Sequence, residues 1–324
     1  MADISLEPGL ITTRAEMKEL LGGGPQGGVV SSASTPNVLI YSDHDTGGKS
    51  GYRDGWLAEE DGRGRIFEYT GHGENDQTFV GQAGNGNRAI LHHVNDGKSL
   101  HVFIADGKVS GSGTKRQRYI GEFELDEKQP YIVRQAPNRN GILRRVIVFR
   151  LRSVGSVQFD ERDAIPLLEK TEAIEVPAST TTSVMIEPET NKKTLSVRSA
   201  IPQTEAERRE AKLSAEFQAY LESQNHKVKR FQINPKGSTS TLLTDLYDTT
   251  SHVLYEAKGN SSRNAVRMAI GQLFDYCRHV EPAAPRLAVL LPGKPYEDLR
   301  DLLESVGISL VYRDGNSFVE CWVR

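Results

Sequence analysis

The sequence predicts a two-domain protein, with a β-rich N-terminal domain and a smaller mixed α/β domain at its C-terminal end. Its 324 residues exceed the length of most single domains. Short apolar runs separated by Gly, Asn and Asp fill the first half, whereas helical and strand patterns alternate in the last third. A segment rich in Thr, Ser and Pro lies between them. We therefore expect domains at residues 1–158 and 204–324, joined by a linker at 159–203.

The N-terminal domain begins with one short helical pattern, TTRAEMKELL, which ends at three glycines. The strand-like runs that follow are NVLIYS, RIFEYTG, SLHVFIA, RQRYIGEFEL, YIVRQA and RRVIVFRLRSV, and NRAILHHV is predicted as a short helix between strands. Many short strands with turn residues between them are typical of a β-rich barrel or sandwich.

The C-terminal domain begins with an amphipathic helix, whose apolar stripe includes Leu213, Phe217 and Leu221. Three predicted strands follow, VKRFQI, TLLTDLYD and HVLYEAK, and then a helix, RNAVRMAIGQLFDYCRHV. A buried strand (PRLAVLLPG), a helix (YEDLRDLLESVG) and two closing strands (ISLVYRD and FVECWV) complete the pattern. This order predicts a compact mixed α/β domain.

The composition excludes several classes of protein. No apolar run approaches the roughly 18 residues that a membrane-spanning helix needs. The first residues, MADISLEPGL, lack the basic and apolar regions of a secretory signal. Two cysteines, Cys277 and Cys321, have no metal-binding spacing and form no disulfide framework. We therefore expect a cytoplasmic protein without a membrane segment.

The charge distribution is more informative than the net charge of −3. Between Lys115 and Arg152 there are ten Lys or Arg and only four Asp or Glu. A local basic face is enough to bind nucleic acid, because neutralising phosphates is a local effect. Lys115, Arg116 and Arg118 are therefore candidate DNA contacts, and solvated strand faces are the alternative interpretation.

An aspartate, a glutamate and a lysine, Asp245, Glu256 and Lys258, stand at unusual positions in the predicted strand pair TDLYDTTSHVLYEAKG. Side chains alternate along a strand, so Glu256 and Lys258 project from one face, at the surface, while Tyr255 and Ala257 pack into a core. Asp245 on the preceding strand is expected to lie opposite. Two converging carboxylates repel each other unless a divalent cation such as Mg²⁺ lies between them.

A lysine beside such a carboxylate pair can orient a water molecule or stabilise a pentavalent phosphate. Asp245 and Glu256 are therefore candidate metal ligands, and Lys258 is a candidate catalytic residue beside a phosphodiester. The alternative is an exposed hairpin whose charged side chains form surface ion pairs of little energetic value.

The C-terminal third resembles the PD-(D/E)XK nuclease superfamily. Asp245 matches its metal-binding aspartate, and the run Glu256 to Lys258 matches its (D/E)XK half, although Thr244 stands where the family has Pro. The resemblance implies a restriction-endonuclease-like fold, Mg²⁺ as cofactor with Mn²⁺ as an alternative ion, and hydrolysis of phosphodiester bonds.

The same resemblance implies further site residues on two helices. A glutamate of the first helix often faces the site in this family, and Glu210 is the better candidate because it shares a side with the apolar stripe; Glu216 is second. Gln272, at the edge of the apolar stripe of the later helix, is the expected polar residue, with an ordinary boundary glutamine as the alternative. Arg263 and Arg267 are candidate phosphate contacts.

The second informative segment is SGYRDGWLAEEDGRGRIFEYTGHGEND, in which aromatic residues alternate with glycines and acids. A flipped base is held by stacking between aromatic rings while polar groups read its edge. Tyr52, Tyr69 and Asp54 suit these roles, and Trp56 is a further candidate DNA contact. The alternative interpretation is barrel core, which we favour for Trp56.

This segment resembles the SRA domain, also called YDG, which binds DNA containing modified cytosine and flips the base. The matching features are GY-x-D, starting at Gly51, and YTG-x-G, starting at Tyr69. The resemblance implies a PUA-like barrel with Tyr52 and Tyr69 as stacking walls and Asp54 as a base-edge contact. Gly55 stands where the family commonly has a second acid.

Together the two resemblances imply a modification-dependent restriction endonuclease. Its expected partner is double-stranded DNA with 5-methyl- or 5-hydroxymethylcytosine, and a homodimer is expected because each centre cleaves one strand. Two alternatives remain open. In one, the N-terminal domain reads unmodified sequence, a mismatch or phosphorothioate; in the other, the protein binds DNA without catalysis.

Overall fold

The computed structural model describes residues 6–48, 51–178 and 205–323. The chain divides into two compact units, and the boundary falls between Pro166 and Leu167. Each unit is built on its own sheet and has its own buried clusters of apolar side chains. In the ranges that are described, no helix has the length and apolar character needed to cross a membrane.

The N-terminal unit consists mainly of strands. Its strands are β1 (Ile11–Thr13), β2 (Val29–Ser31), β3 (Asn37–Ser42), β4 (Gly55–Asp61), β5 (Gly64–Thr70), β6 (Ser99–Lys108), β7 (Lys115–Leu125), β8 (Tyr131–Pro137) and β9 (Leu143–Val157). Its helices are α1 (Arg14–Leu21), α2 (His44–Gly47) and α3 (Asn85–Leu91). The six strand-like runs of the sequence and both helical patterns are therefore confirmed.

These strands form an open sheet in the order β2-β3-β6-β7-β9-β5-β4, with β1 beside β7 and β8 beside β9. Strand β9 is 15 residues long and pairs with three neighbours: β8 along its first half, β5 near its middle and β7 towards its end. Its ladder hydrogen bonds are thus shared among three strands, and the sheet branches. Among the described residues β2 and β4 lie at opposite ends of the strand order, so the predicted closed barrel is wrong.

The C-terminal unit is a mixed α/β layer structure. Its strands are β10 (Glu172–Pro177), β11 (Val228–Asn234), β12 (Leu242–Leu243), β13 (Leu246–Asp248), β14 (Val253–Ala257), β15 (Arg286–Leu291), β16 (Ser309–Asp314) and β17 (Ser317–Cys321). Its helices are α4 (Glu205–Ser223), α5 (Arg263–Tyr276) and α6 (Glu297–Ser305). The strand order is β10-β11-β13-β14-β15-β16-β17, with β12 beside β11.

Helices cover both faces of this second sheet. Tyr255 of β14 packs with Leu213 and Phe217 of α4, whereas Leu254 of the same strand packs with Val266 of α5. The middle strands β14, β15 and β16 are parallel to one another. Parallel strands with connecting helices are normally buried on both faces, which decides how exposed any polar residue on β14 can be.

Part of the range that the sequence predicts as a linker belongs to this sheet. Strand β10 pairs antiparallel with β11 over its whole length, from Glu172 opposite Asn234 to Pro177 opposite Lys229. Residues 179–203 of the predicted linker lie outside the described residues.

Candidate functional site

Asp245 lies at a break between two short strands of the C-terminal sheet. The preceding residue, Thr244, is fully buried, and its hydroxyl accepts a hydrogen bond from the backbone N–H of Phe231 at 2.8 Å. Its carbonyl oxygen accepts one from Arg230 Nε at 2.6 Å. These bonds hold the break between β12 and β13 and direct Asp245 towards β14, where its Oδ2 accepts the N–H of Ala257 at 2.8 Å.

Glu256 and Lys258 lie beside Asp245, but inside the unit rather than at its surface. Glu256 is 2% exposed and Lys258 6% exposed, and Lys258 Nζ is 2.7 Å from Glu256 Oε1. The expectation of a surface pair is therefore wrong, because α5 covers this face of β14. The prediction that Tyr255 and Ala257 pack into a core is confirmed.

The electrostatics of this pair are those of a crowded, desolvated site. Burial raises the pKa of Glu256 well above its usual range, and the nearby Asp245 raises it further, while Lys258 opposes the rise. For Lys258, burial lowers the pKa, but the charges of Glu256 and Glu210 outweigh it and raise the pKa overall. The carboxylates of Glu256, Glu210 and Asp245 thus all favour the charged form of Lys258.

The predicted helix residues also reach this centre. Glu210 of α4 accepts a hydrogen bond from the N–H of Gly259 at 3.3 Å, directly after Lys258. Glu216, the second candidate on this helix, instead forms an ion pair with Arg313 at 3.0 Å. On α5, Gln272 Nε2 donates to the hydroxyl of Tyr276 at 3.3 Å.

Arg230 and Tyr276 border the same centre and were missed by the sequence analysis. Arg230 is 6% exposed, and its Nη2 is 4.0 Å from Asp245 Oδ1. Burial lowers its pKa, while Asp245 and Glu256 oppose that fall. Burial and the charge of Glu256 raise the pKa of Tyr276 to about 12. One signal could have indicated Arg230: it is a charged residue in the middle of the apolar run VKRFQI.

Two buried oxygen atoms in this region would suit a divalent cation. Glu256 Oε2 and Gln272 Oε1 are buried and accept no hydrogen bond from the described residues. Within those residues, no group of three or more His, Cys, Asp or Glu is arranged as a metal site. Mg²⁺ commonly binds through one or two carboxylates and keeps several waters or substrate oxygens. Asp245 and Glu256 fit that smaller ligand set.

The candidate phosphate contacts of α5 are exposed. Arg263 forms an ion pair with Asp298 of α6, and Arg267 is exposed on the outer side of the helix. Neither is buried against the carboxylate centre.

In the N-terminal unit, Asp54 is fixed by two hydrogen bonds. Its Oδ2 accepts from the hydroxyl of Ser42 at 2.7 Å, and its Oδ1 accepts from the N–H of Thr70 at 2.7 Å. Burial raises the pKa of Asp54, and these two bonds oppose the rise. Both carboxylate oxygens therefore hold neighbouring strands in place.

The two predicted stacking tyrosines differ in exposure. Tyr69 is 4% exposed and belongs to the main apolar cluster, and burial raises its pKa well above the usual range, with Asp54 raising it further. Tyr52 is half-buried. Its hydroxyl donates to the carbonyl of Gly73 at 3.0 Å, and the guanidinium of Arg144 lies 5.2 Å from its ring centroid. Tyr52, Asp54 and Tyr69 thus lie close together, with Tyr69 buried and Tyr52 half-buried.

Two of the candidate DNA contacts are buried in the N-terminal unit. Trp56 is 2% exposed and packs against Phe67, with ring centroids 5.3 Å apart, as our favoured core interpretation predicts. Arg118 is 4% exposed and donates from Nη2 to both oxygens of Asp163 at 2.8 and 2.7 Å. In this conformation neither side chain is available to DNA, because each one is enclosed by its own unit.

The other two basic candidates are exposed. Lys115 forms an ion pair with Asp43, and Arg116 donates from Nε to the carbonyl of Asp106 at 3.0 Å. A pair exposed to solvent can be exchanged for phosphate contacts at little cost.

Comparison with known families identifies the N-terminal unit. The model of the family described as "ScoMcrA-like, SRA domain" matches residues 9–169. This part of the chain is therefore an SRA domain of the ScoMcrA type, and it ends close to the boundary between the two units. The family model covers only the first three residues of the C-terminal unit, and no curated protein matches the chain.

Two solved structures of ScoMcrA match part of this chain, which covers less than half of the length of either. The sulfur-binding and SRA domains of ScoMcrA in complex with phosphorothioated DNA are 20% identical, with a TM-score of 0.33, over 46% of this chain and 40% of that one. The type IV phosphorothioation-dependent restriction endonuclease ScoMcrA is 18% identical, with a TM-score of 0.33, over 48% of this chain and 29% of that one. The DNA recognition domain of the cytosine modification-dependent restriction endonuclease LpnPI is 14% identical, with a TM-score of 0.32, over 43% of this chain and 66% of that one.

Proposed function

We propose that this protein is a modification-dependent DNA endonuclease. The observation that carries the proposal is the meeting of Asp245, Glu256 and Lys258 in one buried centre, in a chain whose N-terminal unit is an SRA domain. An SRA domain supplies recognition of modified DNA, and the second unit supplies the groups that phosphodiester hydrolysis needs.

The residues of the C-terminal centre have separate roles in this proposal. Asp245 and Glu256 would hold Mg²⁺, or Mn²⁺ in its place. A bound divalent cation supplies charge neutralisation at the phosphate and lowers the pKa of a coordinated water. Lys258 orients the attacking water or stabilises the charge that develops on the phosphate. Glu210 holds the loop after Lys258 through the N–H of Gly259, at 3.3 Å.

Gln272 and Tyr276 close the α5 side of the centre. Tyr276 is 8% exposed, so the two side chains restrict the access of bulk water from that side. Gln272 Oε1, which is buried and accepts no hydrogen bond from the described residues, is available to a water molecule held near the carboxylates.

The N-terminal centre would hold the modified base. Tyr52 and Tyr69 are the proposed walls on which a flipped cytosine stacks, and Asp54 reads its edge with lone pairs that its bonds to Ser42 and Thr70 leave over. We propose 5-methyl- or 5-hydroxymethylcytosine as the base. The exposed Lys115, Arg116 and Arg263 are proposed phosphate contacts, and two copies of the chain would make a double-strand break. We place the enzyme in the cytoplasm, where it meets incoming DNA.

Phosphorothioate is the second candidate feature, because the matched family is the ScoMcrA-like one and a solved structure of ScoMcrA contains phosphorothioated DNA. One experiment separates the candidates. A single plasmid is prepared with cytosine, 5-methylcytosine, 5-hydroxymethylcytosine, glucosylated cytosine or phosphorothioate, and each form is incubated with Mg²⁺, Mn²⁺ or EDTA.

The expected result is metal-dependent cleavage of the methylated or hydroxymethylated plasmid and none of the unmodified one. Cleavage of the phosphorothioated plasmid alone would favour the second candidate, and equal cleavage of all forms would favour a reader of unmodified sequence or a mismatch. Binding without cleavage in every metal would leave a DNA-binding protein without catalysis. The matched control is Asp245→Asn, which must abolish any cleavage assigned to this centre.

A further inference from the structure

The outer face of helix α5 is largely exposed in the part of the C-terminal unit that the structure describes. Two large apolar side chains on this face are exposed, Met268 at 64% and Phe274 at 45%. The opposite face of the helix carries Val266 and Leu273, which are fully buried against the sheet. The outer residues therefore do not contribute to the core of their own unit.

Gly271 lies at the centre of this outer face, and none of the described residues requires a glycine there. A Cβ atom placed on Gly271 would have no described atom within 4 Å, so alanine would fit. Glycine inside a helix costs about 1 kcal/mol relative to alanine. This glycine is explained if a second backbone approaches it closely.

The residues around Gly271 are arranged as a self-complementary set. Met268 and Phe274 lie three residues on either side of Gly271, and Arg267 and Asp275 lie four residues on either side. When two copies of α5 pack antiparallel and cross at Gly271, Arg267 of one copy lies at the level of Asp275 of the other. Met268 likewise lies at the level of Phe274. A twofold axis makes each such contact twice.

The charges fit this arrangement. Arg267 is exposed, and the side chain of Asp275 is 44% exposed, with Arg278, in the turn just after α5, as its present partner. A second arginine arriving from another copy would leave two cations around one carboxylate, an attractive arrangement. In a parallel arrangement, by contrast, like charges would lie opposite each other.

We propose that the outer face of α5 is the surface through which two copies of this chain associate, by antiparallel packing of the two helices across Gly271. Met268 and Phe274 form the apolar part of the interface, and Arg267 with Asp275 fixes its antiparallel register. A single helix pair is a small interface, so the dimer dissociates at lower protein concentrations than an obligate one.

This surface deepens the proposed function, on which its biological meaning rests, because α5 also carries Gln272 and Tyr276 of the carboxylate centre. Pairing through α5 would hold the two centres at a fixed separation. One nick in each strand would then become a double-strand break.

The first test measures oligomeric state without DNA or metal, so its result does not depend on nuclease activity. The full chain is examined by light scattering and sedimentation over a concentration series, beside Phe274→Glu, Met268→Glu and the control Val94→Glu. Val94 is 64% exposed in the N-terminal unit. We expect the unaltered chain and Val94→Glu to dimerise, and the two α5 variants to be monomers with unchanged circular dichroism. The proposal would be overturned if the unaltered chain stayed monomeric at all concentrations. It would also be overturned if the α5 variants dimerised as strongly as the unaltered chain.

The second test exchanges the two charges of the proposed contact. If these residues only stabilised their own unit, the exchange would not restore dimerisation. Arg267→Glu and Asp275→Arg should each weaken dimerisation about tenfold, and the double variant should restore it, because opposite charges then meet again. Gly271→Ala should weaken the dimer while raising the melting temperature of the monomer. Absence of restoration in a folded double variant would refute the antiparallel register. Nicking of modified DNA by the monomeric variants would show that the nuclease function survives even where this interface is lost.

Discussion

The two candidate sites of this protein differ in how completely the oxygens of one carboxylate, Asp54 or Glu256, are hydrogen-bonded. In the N-terminal unit, both oxygens of Asp54 accept hydrogen bonds from neighbouring strands. In the C-terminal unit, Glu256 Oε2 accepts none from the described residues, although Glu256 is 2% exposed. A buried carboxylate oxygen without a partner is costly, and the cost is removed when a cation binds. Both oxygens of Asp54 are therefore engaged within their own unit, whereas Glu256 keeps one oxygen on which a cation would remove this cost.

The largest expected effect comes from removing the lysine of the unpaired site. Lys258→Ala should lower the rate of cleavage of modified DNA by about 10³-fold, because charge stabilisation at the reacting phosphate is lost. Single-turnover cleavage measures the rate, and fluorescence anisotropy should show unchanged affinity for the same DNA. Lys229→Ala, a change on a neighbouring strand, serves as the control. Retention of full activity by Lys258→Ala would remove the C-terminal centre from the chemistry.

A second change tests whether Arg118 belongs to a structural ion pair of the N-terminal unit. Arg118→Ala would leave the buried Asp163 without its guanidinium and should cost about 3 kcal/mol of unfolding free energy. Arg116→Ala, two residues earlier and exposed, should cost less than about 0.5 kcal/mol. Urea unfolding measures both. Equal effects of the two changes would contradict the assignment of Arg118 to a structural ion pair.

The third prediction concerns metal and pH at the unpaired site. Because the folded chain raises the pKa of Glu256, the protonated form stabilises the fold at low pH, and this stabilisation is lost as pH rises from the unfolded value of about 4.3 through the folded one. The melting temperature of the unaltered chain should therefore fall relative to Glu256→Gln over that window.

Mg²⁺ should reverse this loss at neutral pH, because it binds the folded chain. At about 100 times its dissociation constant the expected stabilisation is about 2.7 kcal/mol. Glu256→Gln should lose the response to Mg²⁺, whereas Tyr52→Ala should keep it. A pH profile and a Mg²⁺ response that are the same with and without Glu256 would show that this carboxylate is neither strained nor a ligand.

The smallest effect is expected at the paired site. Tyr52→Ala should weaken binding of modified DNA about tenfold, because stacking on one aromatic ring contributes about 1–3 kcal/mol per base. Tyr52→Phe loses only the hydrogen bond to Gly73 and should bind nearly as the unaltered chain does. Anisotropy titration with modified and unmodified duplexes at one fixed salt concentration measures the difference. Equal losses for both duplexes would mean that Tyr52 contacts DNA without reading the modification.

Much of the fold was predictable because its strands and helices follow their own periodicities. The alternation in β14 correctly predicts that Tyr255 and Ala257 face a core. It could not show that α5 covers the other face, so Glu256 was expected at the surface. Strand β4 was missed, because its second half, Ala58 to Asp61, is polar and reads as a turn. The sequence also could not show that the first sheet stays open. This depends on how β9 is shared among three neighbouring strands, which is a matter of tertiary register.

In the candidate sites, too, local patterns predicted some residues, whereas others depended on tertiary packing. The spacing from Asp245 to Lys258 was sufficient to predict residues that the fold brings together. Arg230 was not predicted, because a lone arginine in a strand does not reveal whether the chain encloses it. Trp56 shows the opposite limit: an aromatic residue in a glycine-rich segment suits a stacking role and a core role equally, and only burial distinguishes them.

The pairing of β10 with β11 sets where the C-terminal unit can be separated from the rest of the chain. A fragment that starts at residue 204 would lack β10 and leave one side of β11 open, with its amide and carbonyl groups ready to pair with another molecule. Such a fragment would aggregate for reasons unrelated to its chemistry. A fragment that starts at Leu167 keeps the covering strand and is the sound starting point for work on the isolated unit.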